Sequence, residues 1–180
     1  MYTEHSNMRR CWGWCLRCRG EGIRLSERKS VRFLVSGNEV CGSVEKTMLA
    51  YNEHKELYNL RLKAVVDGIE YSNTKEFTEI DEAVIDLQKQ MLPDIQIVCC
   101  QACKYGNFCP FGNAQNEIVC LKSYPPKNKI DLAKIFHSAL ILDTELPKSE
   151  LLSWCESYEK IDNNYFTYND WNRHFMNEHG

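Results

Sequence analysis

The sequence predicts an α+β fold, with a mainly antiparallel sheet, flanking helices and a four-cysteine zinc knuckle between two strands. Three observations support this prediction. Strand-like alternation comes first, one helical pattern interrupts it, and two more helical patterns follow. Cysteines cluster where two short strand patterns meet. Because 43% of the 180 residues are hydrophobic, the chain can bury a substantial core.

The first strand pattern lies near residue 33. Val31, Phe33 and Val35 alternate with Arg32 and Leu34, which indicates a strand, and a poorly defined stretch follows to about residue 52.

The clearest strand pattern precedes a turn at Asp67-Gly68. Both turn positions suit a type I′ turn, which requires positive φ at two residues, and Ile69 begins the return strand. In the first strand of this hairpin, Arg61, Lys63 and Val65 alternate with four apolar residues, which are Leu60, Leu62, Ala64 and Val66. This pattern predicts an antiparallel hairpin with one buried face.

Three helices are expected. The first follows Thr78, a suitable N-cap, and ends before Pro93. The other two are expected at 130–142 and 149–161. In the last helix, Cys155 would lie on an apolar face and pack in the core.

The chain divides into a basic arm, residues 1–29, and a single α+β domain, residues 30–180, with the knuckle at 99–120. The formal net charge is −3, but residues 1–32 hold eight Lys and Arg against three Asp and Glu. The remaining residues therefore carry a formal charge of −8. An acidic body with a basic arm is expected.

Neither a transmembrane helix nor a secretory signal is apparent from the sequence, because apolar runs of the required length are missing. We therefore expect a cytoplasmic protein with no membrane partner. In a reducing compartment, the ten cysteines are expected to bind metal rather than to form disulfides.

The main cysteine cluster is the strongest site candidate. Cys100-x2-Cys103 offers two thiolates on one turn, and Cys109 with Cys120 can complete a tetrahedral zinc site with Zn–S distances of about 2.3 Å. Cys99 is expected in the core, although the sequence leaves open whether Cys99 or Cys109 completes the site. Buried free thiols are the alternative. We expect one structural Zn²⁺ per chain and no catalytic residue, since four thiolates leave no open position. The ferredoxin spacing is missing, which disfavours an iron–sulfur cluster.

The segments "VCCQACKYGNFCPFGN" and "EIVC", within residues 97–121, resemble a cysteine knuckle of uncharacterised small bacterial proteins. In these proteins a C-x2-C leaves a strand, a Pro-aromatic-Gly turn follows, and a later strand carries another cysteine. The resemblance covers about 25 of the 180 residues. It implies an immunity or accessory role beside a bacterial toxin, and it assigns no catalytic residue.

The N-terminal arm carries a second cysteine group. Cys11, Cys15 and Cys18 have the spacing that radical-SAM enzymes use for an iron–sulfur cluster, but Arg17 replaces the usual aromatic residue. With Cys41 they form a possible second metal site. The arm is also a candidate nucleic-acid surface, because arginines contact phosphates and tryptophans stack on bases. Its candidate residues are Arg9, Arg10, Trp12, Trp14, Arg17 and Arg19. A loosely docked arm is the remaining alternative.

The body contains an acidic stretch between Asp67 and Asp86, in which seven carboxylates accompany one lysine. The candidate partner-binding residues are Asp67, Glu70, Glu76, Glu79, Asp81 and Glu82. A solvated face is the alternative for this stretch. The sequence thus predicts a non-enzymatic, zinc-stapled protein-binding module with a basic protein partner. A nucleic-acid-binding regulator is the second interpretation, and an iron–sulfur or radical enzyme is the third.

Overall fold

The computed structural model describes residues 23–50, 57–112, 116–161, 166–169 and 171–175. These ranges form a five-stranded antiparallel sheet in the order β4-β3-β2-β1-β5 and a small three-stranded antiparallel sheet in the order β6-β7-β8. The elements are β1 Ile23–Val35, β2 Asn38–Ala50, β3 Leu57–Val66, β4 Ile69–Ser72, α1 Ile80–Gln90, β5 Ile95–Val98, β6 Gly106–Asn107, β7 Glu117–Cys120, α2 Lys129–Ile141, β8 Lys148–Glu150 and α3 Trp171–Phe175. The predicted α+β class with antiparallel sheets is confirmed.

The long β1–β2 hairpin extends beyond the predicted strand. β1 begins at Ile23, so residues 23–29 belong to the sheet, although the sequence analysis placed them in the arm. β2 occupies most of the stretch that showed no clear pattern. Its charged side chains pair across the strands, with Lys46 Nζ 2.8 Å from Glu27 and Glu45 3.3 Å from Arg28. Charged residues therefore occupy positions that would be apolar in a strand with one buried face. The sequence of β2 consequently shows no clear alternation.

The β3–β4 hairpin is confirmed as predicted. All four alternating apolar residues of β3 between 60 and 66 are buried. Asp67 and Gly68 have φ values of 49° and 77°, which are the positive values that a type I′ turn requires.

Helix α1 packs against β3 and β4, as its apolar face predicts. Its N-cap is Glu79 rather than the predicted Thr78, and no side chain caps it. Buried Asn73 secures the helix instead, because its Oδ1 accepts from Leu62 N at 2.6 Å while its Nδ2 donates to Ala83 O at 2.7 Å. One side chain thereby joins helix and sheet.

Helix α2 is also confirmed, and its N-cap is Asn128, which accepts hydrogen bonds from the backbone of Ile130 and Asp131. The prediction of a helix at 149–161 is wrong. Strand β8 and a series of turns occupy this segment, and Cys155 is exposed rather than buried in the core. The backbone of the segment forms hydrogen bonds to the cysteine knuckle and two turns of its own instead of a helix.

Two groups of buried residues form the interior. The larger lies between the five-stranded sheet, α1 and the knuckle, and it includes Phe33, Leu62, Leu87, Cys99 and Leu151. The smaller lies under α2 and consists of Val119, Leu121, Leu132 and Phe136. No helix in the described part of the chain is both long and apolar enough to cross a bilayer.

Candidate metal centre

The cysteine knuckle begins where β5 ends. Three turns follow one another: Ala102 N donates to Cys99 O at 3.1 Å, Cys103 N to Cys100 O at 3.3 Å, and Gly106 N to Cys103 O at 2.9 Å. Cys99 is fully buried in the main core, as expected from the sequence. The turns are compact enough to bring Cys100 and Cys103 together, as C-x2-C metal sites require.

Gly106 makes this compactness possible. A Cβ on Gly106 would overlap the carbonyl oxygen of Cys100 and lie 2.9 Å from Ile118 Cδ1. The glycine therefore lets β6 pass directly against the knuckle backbone. Gly106 pairs with Cys120 across β6 and β7, which places the third cysteine beside the knuckle.

The segment 148–160 covers the other side of the knuckle. Cys100 N donates to Ser153 O at 2.6 Å, and Lys104 N donates to Glu159 O at 2.9 Å. Cys103 and Lys160 form an antiparallel bridge. Cys155 lies between these attachment points, so the segment carries a fourth cysteine past the knuckle.

Cys120 and Cys155 lie close enough to the knuckle for their thiolates to repel those of Cys100 and Cys103. The Cys100 thiol interacts with those of Cys103, Cys120 and Cys155, and the Cys103 thiol interacts with those of Cys120 and Cys155. Burial, with a smaller contribution from the neighbouring thiols, raises the pKa of Cys100 to about 11, against the lowering effect of its bond to Ser149 Oγ at 3.6 Å. Burial likewise raises the pKa of Cys103. These thiols are thus protonated at neutral pH unless a cation compensates their charge.

Backbone donors already face one of the sulfurs. The N–H groups of Glu159 and Tyr105 bond to the Cys103 sulfur and lower its pKa. Such N–H groups stabilise a thiolate, which is the form of cysteine that binds metal.

Cys109, the predicted fourth ligand, belongs to the surroundings of the smaller core. It packs against the smaller core with Ile135 and Leu146. Its neighbours are therefore apolar residues of β7 and α2.

The predicted zinc knuckle is not shown as an assembled site. Within the described ranges, no three His, Cys, Asp or Glu side chains are grouped as metal ligands. A tetrahedral zinc site with Zn–S distances of about 2.3 Å requires sulfurs about 3.8 Å apart. Cysteine thiolates are nevertheless the donors that zinc takes in structural sites, so the residue types at the knuckle fit zinc.

The predicted second metal site and nucleic-acid surface lie almost wholly outside the described residues. Only Cys41 of these candidates is described, and it is exposed on β2 opposite Arg32. The possible partners Cys11, Cys15 and Cys18, and the nucleic-acid candidates Arg9, Arg10, Trp12, Trp14, Arg17 and Arg19, lie outside the described ranges.

The acidic candidates lie at the hairpin turn and the start of α1. Asp67, Glu76, Glu79 and Glu82 are exposed, and Asp81 is half-buried. Exposed Glu70 pairs with Lys63 at 2.5 Å. A cleft of about 310 Å³ contains Asp81, Glu82 and Asp86, but Lys75, Lys89 and His174 also line it. Carboxylates and cations therefore share this surface.

Sequence analysis missed an apolar surface around α2. Ile130, Leu140, Ile141 and Leu142 are each at least 60% exposed, and Phe111 is 56% exposed. Beside them lies a groove of about 530 Å³, whose apolar lining includes Phe111, Val119, Phe136, Leu140 and Leu146. The run Ala139–Leu142 was the available signal, because four consecutive apolar residues surround a helix and only one side can face the core.

No protein-family model and no curated protein matches the chain.

Proposed function

We propose that this protein is a non-enzymatic protein-binding module stabilised by one structural zinc ion per chain. The apolar surface around α2 is the observation that carries the binding proposal. Large exposed apolar patches mark interaction sites, because leaving them in water forfeits the free energy of burial. Only Leu132 and Phe136 of α2 are buried in this fold, so most of the apolar surface of the helix is left for a partner.

The groove indicates what kind of partner fits. Its apolar floor is bordered by Glu117, Asp143 and Glu145. Lys148 also borders it, and this side chain is shared by Glu117 at 3.4 Å and Glu145 at 3.9 Å. Since carboxylates outnumber cations at the border, the complementary ligand is a segment with an apolar face flanked by Lys or Arg.

The acidic body supports the same choice of partner. Beyond residue 32 the formal charge is −8, and Asp67, Glu76, Glu79 and Glu82 at the hairpin turn and the start of α1 are exposed. We propose that this surface steers a basic protein towards the module. The resemblance of residues 97–121 to toxin-immunity knuckles suggests a bacterial toxin component as that basic protein.

The zinc ion acts as a staple in this proposal. Cys100, Cys103 and Cys120 would hold it together with a fourth cysteine, and the ion when bound would contribute free energy of folding. The strands of the small sheet have two, four and three residues, which is too short for independent stability. Four thiolates leave no position for a substrate, so the site serves the fold and not a reaction.

Leu140→Asp should abolish binding at the groove. Displayed peptides selected on the immobilised full chain should be enriched in apolar residues at helical spacing flanked by Lys or Arg. We expect Leu140→Asp to weaken these peptides at least about tenfold, because a charge would replace an apolar contact at the centre of the interface. Fluorescence anisotropy with labelled peptides measures the change.

Leu92→Asp is the matched control, since Leu92 is also a leucine with about half of its surface exposed, and it lies outside the groove lining. It should leave the affinity unchanged. Equal affinities for wild type and Leu140→Asp, or selected peptides without basic residues, would contradict the proposed docking site.

Reversing two charges, Glu79→Lys with Glu82→Lys, should slow association with a selected basic peptide at low ionic strength. Long-range attraction acts on the encounter, so we expect a several-fold lower on-rate with a similar off-rate at about 0.01 M salt, where the Debye length is about 30 Å. At about 1 M salt the difference should disappear. Stopped-flow kinetics provides both rates. An unchanged on-rate at low salt would show that these carboxylates form a solvated face with no role in steering.

A further inference from the structure

We infer that Cys155, and not Cys109, is the fourth ligand of a closed four-thiolate zinc site with Cys100, Cys103 and Cys120. This inference rests on the zinc site of the proposed function. It adds a ligand from a segment that is 35 residues beyond Cys120 in the sequence.

The backbone determines the position of Cys155. Ser153 and Glu159 accept hydrogen bonds from Cys100 and Lys104, the residues on either side of the knuckle. The chain between these two acceptors must therefore span the knuckle. Cys155 lies within that span, and a bond from Tyr158 N to Cys155 O at 3.0 Å closes a second turn there. Two turns, each bearing thiols, thus face each other.

Neighbouring contacts hold this second turn in place. The Arg32 guanidinium lies 3.7 Å from the centroid of the Trp154 ring, and Gln96 Nε2 donates to Tyr158 Oη at 3.0 Å. Both partners belong to the five-stranded sheet, on β1 and β5. The turn is therefore anchored on each side of Cys155 to the rigid part of the fold.

The exposure of Cys155 suits a ligand that closes the site from outside. Because the Cys155 side chain is exposed, it can turn towards an ion without disrupting any core packing. Cys109 differs in this respect, since it packs against the smaller core formed by Val119, Leu121, Leu132 and Phe136 and would have to leave it to bind an ion at the knuckle. Removing a packed side chain from a core costs free energy, which favours Cys155.

The chemistry of the donors selects the ion. Four thiolates in a tetrahedral arrangement suit Zn²⁺. Harder cations such as Mg²⁺ require oxygen ligands.

The test compares Cys155→Ser with Cys109→Ser in the full chain. Zinc content is measured by elemental analysis, zinc affinity by competition with a chelator, and the number of thiolates by the sulfur-to-metal absorption of the Co²⁺-loaded protein. Cys155→Ser should lower the zinc affinity by about a hundredfold or more, because even outer-shell partners contribute about 10–100-fold. It should also lose about a quarter of the sulfur-to-cobalt absorption, whereas Cys109→Ser should retain both. Any zinc bound by cysteines of the N-terminal arm is present in both variants, so it does not affect the difference between them.

Cys155→His guards against a simple folding defect, since histidine can replace cysteine as a zinc ligand. It should recover most of the zinc affinity that Cys155→Ser loses. Loss of zinc in Cys109→Ser with full retention in Cys155→Ser would overturn the ligand assignment and leave the zinc staple intact. Wild-type protein that binds no zinc would overturn both.

Discussion

Replacing Gly106 with alanine should destabilise the fold by about 3–5 kcal/mol, the range of large single-residue effects. The new methyl group would overlap the Cys100 carbonyl oxygen and press on Ile118. A carbonyl in the middle of a turn cannot move aside as the end of a flexible side chain can. We therefore expect either β6 to separate from the knuckle or the turn to open, and both would move Cys120 away from Cys100 and Cys103.

Chemical denaturation followed by circular dichroism measures this loss, and Gly68→Ala is its matched control. Gly68 has a φ of 77° and nothing within 4 Å of an added Cβ, so the control carries backbone strain without a clash. We expect it to cost about 1–2 kcal/mol. Equal costs for the two substitutions would show that β6 does not pass as close to the knuckle as described.

Removing zinc with a strong chelator should lower the melting temperature by about 10 °C or more. A staple that contributes several kcal/mol has an effect of this size in a chain of 180 residues. The loss should be local, because β6, β7 and β8 are short while β1 and β2 pair over 13 residues each. Hydrogen exchange should therefore accelerate in the small sheet before it accelerates in the five-stranded sheet.

Added Zn²⁺ should restore the protection, and added Mg²⁺ should not, because Mg²⁺ requires oxygen ligands. Identical melting curves and exchange rates with and without the chelator would exclude a structural role for metal in this fold. Faster exchange in all strands together would show that the two sheets unfold as one unit.

Local patterns in the sequence predicted the elements that pair or pack with segments close to them along the chain. The β3–β4 hairpin follows from alternation and the Asp67-Gly68 turn, and α1 follows from its apolar face and from the proline that follows it. Helix α2 follows from the same kind of pattern, and its boundaries agree within one residue. The C-x2-C turn at Cys100 is local in the same sense, which is why its compactness could be expected.

Only the tertiary structure decided what segment 148–161 does. Its apolar spacing suits a helix, but Leu151, Ser153 and Glu159 use their carbonyl oxygens to accept hydrogen bonds from knuckle N–H groups. Leaving these donors without an acceptor would cost more free energy than helix propensity returns. The contacts that decide the conformation come from residues about 50 positions earlier, where no local pattern can reveal them.

The cysteines also divide into those whose role local sequence predicts and those whose position depends on the tertiary structure. Their number and the Cys100–Cys103 spacing indicated metal from the sequence alone, since residue type and a short turn suffice for that prediction. Strand alternation turned Cys99 away from the predicted site and the expected helix placed Cys155 in the core, which left Cys109 as the fourth ligand. Proximity in space depends on β7, β8 and the turns after β8, and these elements carry Cys155 to the knuckle while Cys109 packs under α2.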